Sequence, residues 1–298
     1  MTTLKVNTIS GIGNTEGTVF KGGVGYDSLN YMTLPKGTTA QRVSSRGRAV
    51  IAGGYNPAGS PNAAKSLNTI EYLEINTTAN ALDFGDLSFG SASGGSCGSS
   101  TRGLIGGSYI APGIANSLNN IDYITIATTG NATDFGDSID KAYYGAQGTS
   151  SPTRGIWSGG SPAEDMIQYV TIASTGNSQE FGNLSANRKA PCEASSSTRC
   201  VIVGGYTPTV LNTMEYITIA TTGNAKDFGD LTFAGSYIAG TSNSVRAVWT
   251  GRYTVPATHN TIQYSTIQTL GNAQDFGDLI SAYTNLSGAT SDTHGGLT

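Results

Sequence analysis

The chain repeats one phrase of 19 residues five times, and repetition at a near-constant period restricts the fold more than any other feature of a sequence. The clearest copy runs from Asn120 to Ser138 and reads Asn-Ile-Asp-Tyr-Ile-Thr-Ile-Ala-Thr-Thr-Gly-Asn-Ala-Thr-Asp-Phe-Gly-Asp-Ser. Every copy places a Tyr 12 residues before a Phe, and successive Phe residues are 51, 46, 47 and 48 residues apart. That period suits a four-stranded propeller blade. The pairs are Tyr72 and Phe84, Tyr123 and Phe135, Tyr169 and Phe181, Tyr216 and Phe228, and Tyr264 and Phe276.

A second phrase precedes each copy and consists of an Arg, an apolar run, and a Gly five residues after the Arg. The distance from each Phe to the next Arg is 18 or 19 residues, whereas the distance from Arg to Tyr ranges from 15 to 24. Almost all of the length variation therefore lies in one connection per repeat. The arginines are Arg48, Arg102, Arg154, Arg199 and Arg246.

Each repeat unit predicts four short strands. In the second unit they fall near Leu87–Gly94, Arg102–Gly107, Ile121–Thr128 and Thr133–Asp137. The third strand carries apolar residues on both faces, which indicates a strand covered on both sides, as in a blade stacked between two neighbours. We therefore predict an all-β protein that forms a β-propeller with five sequence repeats.

The two ends of the chain do not contain complete repeats. Residues 1–30 are rich in Gly and predict an N-terminal arm, with a floppy terminus as the alternative, while residues 31–298 form the propeller. His294 stands 18 residues after Phe276, in the register of the arginines, so the tail is the first half of a sixth unit. If Leu4–Phe20 completes that unit the propeller has six blades, and otherwise it has five.

Composition excludes several classes of protein. Charged residues make up 12% of the chain and the net charge is −4, so a basic face for nucleic acid is not expected. The chain contains no run of 18 apolar residues, so no membrane-spanning helix is predicted. The 15 Tyr and 8 Phe, many of them in repeat register, favour a folded chain over a disordered one.

The repeated charged residues are interpreted as structural. Every repeat has its Arg and also an acid one place before its Phe, and one cation with one acid per unit suits a pair repeated around a ring. In this interpretation the Arg donates hydrogen bonds to a carboxylate or to backbone carbonyls. The alternative is that the arginines form a ring that binds a ligand. In the Asp-Phe-Gly-Asp motif we expect a turn in which the Phe packs and the second Asp caps backbone donors. The acids are Asp83, Asp134, Glu180, Asp227 and Asp275.

Binding is predicted in the variable connections and catalysis is not predicted anywhere. Insertions in repeat folds map to loops on one face, often the binding face, although such loops can also be simple spacers. The chain has two histidines, and no catalytic triad, His/Cys metal cluster or cofactor motif is recognisable, so we expect no enzyme, metal or cofactor. The candidate binding side chains are Tyr55, Tyr109, Tyr206, Tyr253 and His259.

Two resemblances extend this interpretation. The doublets in Gly53-Gly54-Tyr55 and Gly204-Gly205-Tyr206 resemble kelch-type propeller repeats, although the Trp that kelch units carry after the Tyr is replaced here by the Phe-Gly-Asp segment. The opening Thr3-Leu4-Lys5-Val6-Asn7-Thr8-Ile9 and the phrase Tyr-Ile-Thr-Ile-Ala-Thr-Thr-Gly-Asn-Ala are similar to structural and appendage proteins of marine and cyanobacterial tailed phages. The repeat resemblance covers about residues 31–298.

The phage resemblance implies a non-enzymatic virion protein, such as a tail-fibre domain or a capsid decoration. It would contact other virion proteins through residues 1–30 and attach to a host-surface glycan or protein. A carbohydrate-active enzyme on a propeller scaffold is the alternative, and carboxylates clustered in a cleft would favour it. An intracellular kelch adaptor is a third option.

Overall fold

The computed structural model describes residues 48–54, 56, 66–75, 78–92, 94–109, 117–139, 148–160, 163–251 and 259–283, and their regular structure is β-strand throughout. The chain divides into two compact units, Met1–Gly47 and Arg48–Thr298, and all described residues belong to the second. The predicted arm and the tail after residue 283 lie outside the described residues, and so does the choice between five and six blades. Among the described residues, no helix is long and apolar enough to cross a membrane.

Five antiparallel sheets follow one another along the chain as five blades of a β-propeller, which confirms the predicted fold class. Blade 1 comprises β1 (Arg48–Ala52), β2 (Leu67–Glu74) and β3 (Leu82–Ser91). Blade 2 comprises β4 (Gly95–Gly98), β5 (Arg102–Tyr109), β6 (Ser117–Thr125) and β7 (Thr133–Asp137). Blade 3 comprises β8 (Gly148–Ser150), β9 (Arg154–Ser158), β10 (Glu164–Thr171) and β11 (Gln179–Arg188).

The last two blades have the same plan. Blade 4 comprises β12 (Cys192–Ser195), β13 (Arg199–Val203), a ribbon of β14 (Tyr206–Thr207) and β15 (Thr209–Val210), then β16 (Thr213–Thr218) and β17 (Lys226–Asp230). Blade 5 comprises β18 (Ala239–Ser242), β19 (Arg246–Thr250), β20 (His259–Thr266) and β21 (Gln274–Tyr283). The four-stranded blades keep chain order, so the strand that carries the repeat Tyr is always interior.

The predicted first strand of the second unit is wrong. Leu87 and the residues up to Ser91 continue β3 of blade 1, and the first strand of blade 2 is β4, which begins at Gly95. Leu87 packs in the same hydrophobic core as Phe84 of β3, which explains why that strand extends beyond the repeated motif.

The first strand of each blade lies against the first strands of its neighbours, and these strands therefore line the propeller axis. Contacts join β4 to β8, β8 to β12, and β12 to β18. Hydroxyl groups link them: the Oγ1 of Thr149 and the Oγ of Ser195 are 2.7 Å apart, and the Oγ of Ser242 donates to the carbonyl of Ser195 at 2.7 Å.

The hydrophobic core is divided into layers between consecutive blades, which we call seams. At the seam between blades 3 and 4, Phe181 and Leu184 of β11 pack with Cys200, Ile202 and Ile217 of blade 4. Full burial of one such side chain contributes about 1.5–3 kcal/mol. Each of the four described seams buries one repeat Phe to 2 or 3% exposure, namely Phe84, Phe135, Phe181 and Phe228.

The Asp-Phe-Gly-Asp motif lies within the fourth strand, so the predicted turn is wrong. In β7, Asp134 stands opposite Asp122 and Gly136 stands opposite Ile121, which leaves the Phe between them as the extra residue of a β-bulge. Gly136 has a φ of +141°, and a Cβ there would lie 2.6 Å from the carbonyl carbon of Gly176 in the next blade. The glycine is needed because a neighbouring backbone occupies the space of a side chain.

Topology places the variable connections on one face of the ring. Strands alternate in direction, so the connections from second to third strand and from each blade to the next share a face, which we call the variable face. A bridge between Lys189 and Tyr206 joins one connection of each kind. The tight turns after the third strands lie on the opposite face.

Candidate functional site

The five repeat arginines stack on the five repeat tyrosines, and each guanidinium carbon lies 4.4 or 4.5 Å from the centre of a Tyr ring. Each of these rings meets its repeat Phe edge to face, with centroids 5.8–6.1 Å apart. Four arginines also donate from Nη1 to an Ile carbonyl of the next blade. These bonds are Arg48 to Ile126 (2.9 Å), Arg102 to Ile172 (2.8 Å), Arg154 to Ile219 (2.7 Å) and Arg199 to Ile267 (2.9 Å).

The repeat acids form contacts of their own. The carboxylate of Asp134 accepts from the N–H of Gly136 at 3.2 Å, and Asp275 accepts from Gly277 at 3.3 Å. Between the described residues, no ion pair joins a repeat Arg to a repeat acid; Arg48 pairs with Glu74 at 2.9 Å instead. The arginines therefore contact carbonyls and rings, and Asp134 and Asp275 contact the backbone of their own strands.

Replacing Arg154 with Ala is expected to lower the free energy of unfolding by about 1–3 kcal/mol, because the carbonyl of Ile219 loses a charged donor and Tyr169 loses a stacked cation. Arg154→Lys keeps the positive charge but lacks the planar guanidinium, so it should lose less stability than Arg154→Ala. Equilibrium urea denaturation measures both. Unchanged stability combined with lost ligand binding would assign Arg154 to a ligand site instead.

The structure places three of the five candidate binding residues at the variable face. Tyr109 ends β5, the second strand of blade 2, and His259 begins β20, the third strand of blade 5. Tyr206 begins β14, in the ribbon that joins the second and third strands of blade 4. Tyr55 and Tyr253 lie outside the described residues. Of the five variable connections, the one in blade 4 is described in full, and its geometry is given below.

The blade 4 connection is a ribbon fixed on both sides by backbone hydrogen bonds. Tyr206 and Lys189 exchange two such bonds, of 2.9 and 3.0 Å. Gly205 donates to Gly235 at 2.9 Å, and Gly235 donates to Leu211 at 2.9 Å. The ribbon is therefore held by the connections before and after its own blade, and its side chains have a defined position.

Four residues around the ribbon form what we call the ribbon site: Lys189, Ala190, Tyr206 and Tyr237. The ammonium of Lys189 lies 5.1 Å from the centre of the half-buried Tyr206 ring. Ala190 and Tyr237 each have a φ of +51°, and they are the non-glycine residues with positive φ in the described part of the chain. Such conformations cost about 1–3 kcal/mol and cluster at functional sites. A cation beside an aromatic ring suits a sugar or an acidic group.

A buried ion pair between Arg188 and Glu215 packs against the backbone of the ribbon connection. Arg188 is fully buried and donates to the carboxylate of Glu215, to the carbonyl of Gly204 at 3.2 Å and to the Oγ1 of Thr213 at 3.1 Å. Burial lowers the pKa of Arg188, and the neighbouring Glu215 opposes that effect. The pair joins the end of β11 to both ends of the ribbon connection.

A buried carboxyl lies on the first strand of blade 4. Glu193 is 3% exposed, the Oγ of Ser158 donates to its Oε1, and its Oε2 has no hydrogen-bond partner among the described residues. Burial raises the pKa of Glu193 to about 8, against the opposing effect of the Ser158 hydrogen bond. The folded protein therefore holds this group mostly as the neutral acid at neutral pH.

The raised pKa of Glu193 predicts that the protein loses stability as the pH rises. Its pKa is about 8 when folded and 4.5 ordinarily, so its favourable contribution is complete below pH 4.5 and is lost as the pH rises towards 8. Between pH 5 and pH 7 the wild type should lose about 2–3 kcal/mol relative to Glu193→Gln, which stays neutral. Urea denaturation of both proteins across this range measures the difference. A constant difference would mean that Glu193 ionises normally.

A comparison with protein-family models finds no match to this chain, and a comparison with curated proteins finds none either.

Proposed function

We propose that this protein is a non-enzymatic structural component of a phage particle, and that its propeller presents the variable face to a glycan or a protein. One observation carries the binding role: the length variation lies on a single face, where the ribbon site combines ordered backbone with strained residues. The side chains that repeat in every blade are already used at the seams. Recognition residues commonly lie on such loops, held by a rigid scaffold.

The ribbon site suits a hydroxylated or anionic partner. Tyr206 supplies an aromatic ring with a hydroxyl, and Lys189 supplies a cation within reach of that ring. Aromatic rings bury large areas with a polar end still available, which fits sugars and protein surfaces alike. A host-surface glycan or a neighbouring virion protein meets these requirements.

Placement on a virion is supported by the resemblance of the opening residues and of the repeat phrase to tailed-phage proteins. On this proposal residues 1–30 contact other virion proteins, and the propeller is a tail-fibre domain or a capsid decoration. Mass spectrometry of purified particles tests the location directly, and peptides from this chain are the expected result.

Binding is tested with a matched pair of variants. A chain with Lys189→Ala and Tyr206→Ala should bind host cells or a glycan array at least about tenfold more weakly, since each lost contact of this kind contributes about 1 kcal/mol or more. Thr222→Ala, in an exposed turn on the opposite face of the same blade, should bind normally.

Replacing residues 110–116 by a Gly-Ser turn extends the binding test to blade 2, because these residues join β5 to β6. The fold should survive and attachment should weaken. If all these variants attach fully and deletion of residues 1–30 abolishes attachment, then the propeller is a decoration and not the binding domain. Release of sugars from a polysaccharide would favour the carbohydrate-active enzyme.

A further inference from the structure

Each repeat arginine has two edges that can donate hydrogen bonds, and blade 1 uses both of them. The Nη1 of Arg48 donates to the carbonyl of Ile126 in blade 2 at 2.9 Å. The other edge, formed by Nε and Nη2, donates to the Oε1 of Glu74 at 3.0 and 2.9 Å. Glu74 stands directly opposite Arg48 on β2. In blade 1, therefore, one edge of the guanidinium contacts the next blade and the other edge holds a carboxylate.

In blades 2, 3 and 4 the second edge has no partner among the described residues. A Thr replaces Glu74 in each of them. Each arginine keeps its Nη1 bond to the next blade, but neither its Nε nor its Nη2 donates to a described residue. We call this edge, together with the Thr opposite it, a fork site. The three fork sites are Arg102 with Thr125, Arg154 with Thr171, and Arg199 with Thr218.

The arginine has the same geometry in blades 1 to 4, so Glu74 shows where an acidic group lies at a fork site. The guanidinium carbon is 4.4 or 4.5 Å from the centre of the Tyr ring in all four blades. The Nη1 bonds to the next blade are 2.7–2.9 Å long. Because the guanidinium is planar and rigid, these two contacts also fix the direction of its remaining edge. In blades 2, 3 and 4 this edge therefore faces the space that the Glu74 carboxylate fills in blade 1.

Blade 3 has a cavity of about 130 Å³ beside its fork site, and its lining includes Tyr169, Thr171, Ser174 and Gln179. The hydroxyl of Tyr169 donates to the Oε1 of Gln179 at 2.6 Å, which orients both side chains. Thr171 and Ser174 are exposed, and their hydroxyls can donate to or accept from the hydroxyls of a sugar. The surroundings of the fork therefore combine an oriented cation with neutral polar groups.

We propose that the fork sites of blades 2, 3 and 4 bind the oxyanion of an acidic sugar, either a carboxylate or a sulfate. The Nε and Nη2 of Arg154 donate to the oxyanion as those of Arg48 donate to Glu74, and such charge-assisted bonds are stronger than neutral ones. The fork sites lie at the face of the tight turns. This binding is therefore separate from the role proposed for the variable face.

The charges around the fork sites favour an acidic polysaccharide over a nucleic acid. The fourth strands of these blades expose the repeat acids Asp134, Glu180 and Asp227. Duplex DNA carries one charge per about 1.7 Å of its axis and would bring phosphates against these acids. A polysaccharide with one acid on each sugar can place single charges at sites that lie one blade apart. Binding at several sites at once then strengthens the attachment.

The NMR signals of the arginine Nε–H groups test the proposal in the full-length chain, with galacturonate, a galactose sulfate and galactose as probes. The signals of Arg102, Arg154 and Arg199 should shift with the acidic sugars and stay unchanged with galactose. The acidic sugar that binds more tightly identifies the oxyanion as a carboxylate or a sulfate. The signal of Arg48 should not respond, because Glu74 already holds its second edge.

A reciprocal pair of variants exchanges the two kinds of blade. Thr171→Glu gives blade 3 the residue of blade 1 and should abolish the response of Arg154, while Arg102 and Arg199 in the same molecule still respond and report an intact fold. Glu74→Thr gives blade 1 the residue of blade 3 and should make Arg48 respond. Both variants keep every arginine, so the bonds from Nη1 to the next blade are retained.

Polymer binding provides a second readout, with polygalacturonate or dextran sulfate chosen according to the favoured oxyanion. Replacing Thr125, Thr171 and Thr218 together by Glu should weaken binding at least about tenfold. The variable-face variant with Lys189→Ala and Tyr206→Ala should bind the polymer as the wild type does, and a loss there alone would place the polymer at the ribbon site instead. The proposal is also overturned if Arg154 does not respond to either acidic sugar, if Arg48 stays silent after Glu74→Thr, or if a DNA oligonucleotide binds more tightly than the polymer.

Discussion

Replacing Arg188 with Met is expected to lower the free energy of unfolding by about 3–5 kcal/mol, the usual effect of leaving a buried charge without its partner. The side chain of Arg188 has no exposed surface and that of Glu215 is 4% exposed, so water cannot replace the lost cation. Equilibrium denaturation of both proteins at pH 7 measures the loss. The ribbon site should also weaken as a binding surface, because Arg188 fixes the carbonyl of Gly204 at its base.

The chain itself supplies the control for this experiment. Gln168 and Gln263 occupy the position of Glu215 in blades 3 and 5, and each accepts a backbone N–H from the preceding blade, at 3.2 and 2.7 Å. Glu215 accepts the corresponding bond from Ser185 at 2.9 Å. Adding Glu215→Gln to Arg188→Met should therefore recover most of the stability, because the acceptor stays and the charge disappears. No recovery would show that Arg188 acts mainly by packing.

The propeller could be predicted from the sequence because its determinants repeat. The pairing of Tyr123 with Phe135, twelve residues apart, fixes an edge-to-face contact that recurs in every blade. Strand boundaries were less predictable: Leu87 follows the repeated motif but belongs to the same strand as Phe84, since one seam buries both. The bulge at Gly136 was also missed, because a Gly before an Asp is typical of turns as well.

The candidate site was only partly predictable, because its residues occur once. The sequence indicated Tyr206 through the length of its connection, but Lys189, Tyr237 and Arg188 lie in or beside blade-to-blade connections that no repeat marks. Tyr237 has a positive φ and donates its N–H to the carbonyl of Ala190 at 3.4 Å, a contact that forms only when the connections before and after blade 4 come together. Single-copy features of a repeat protein become visible only in the assembled structure.

Replacing Gly229 with Ala is expected to lower the free energy of unfolding by about 2–6 kcal/mol, by two separable effects. Its φ is +141°, a conformation that costs a side chain about 1–3 kcal/mol. A Cβ would also lie 2.6 Å from the carbonyl carbon of Gly271 in the next blade, and relieving that overlap costs about 1–3 kcal/mol more. The next backbone cannot move aside without breaking the bond from Gly271 to Phe228.

Gly271→Ala separates the two effects. Gly271 has a φ of +145°, nearly the same as Gly229, but no atom lies within 4 Å of its Cβ position. It should therefore show the conformational cost alone, about 1–3 kcal/mol. The difference between the two variants, measured by denaturation under the same conditions, reports how closely the backbones of consecutive blades approach. Equal losses would mean that the backbones at the seam can shift to make room for a methyl group. Positive φ alone would then explain the repeated glycines.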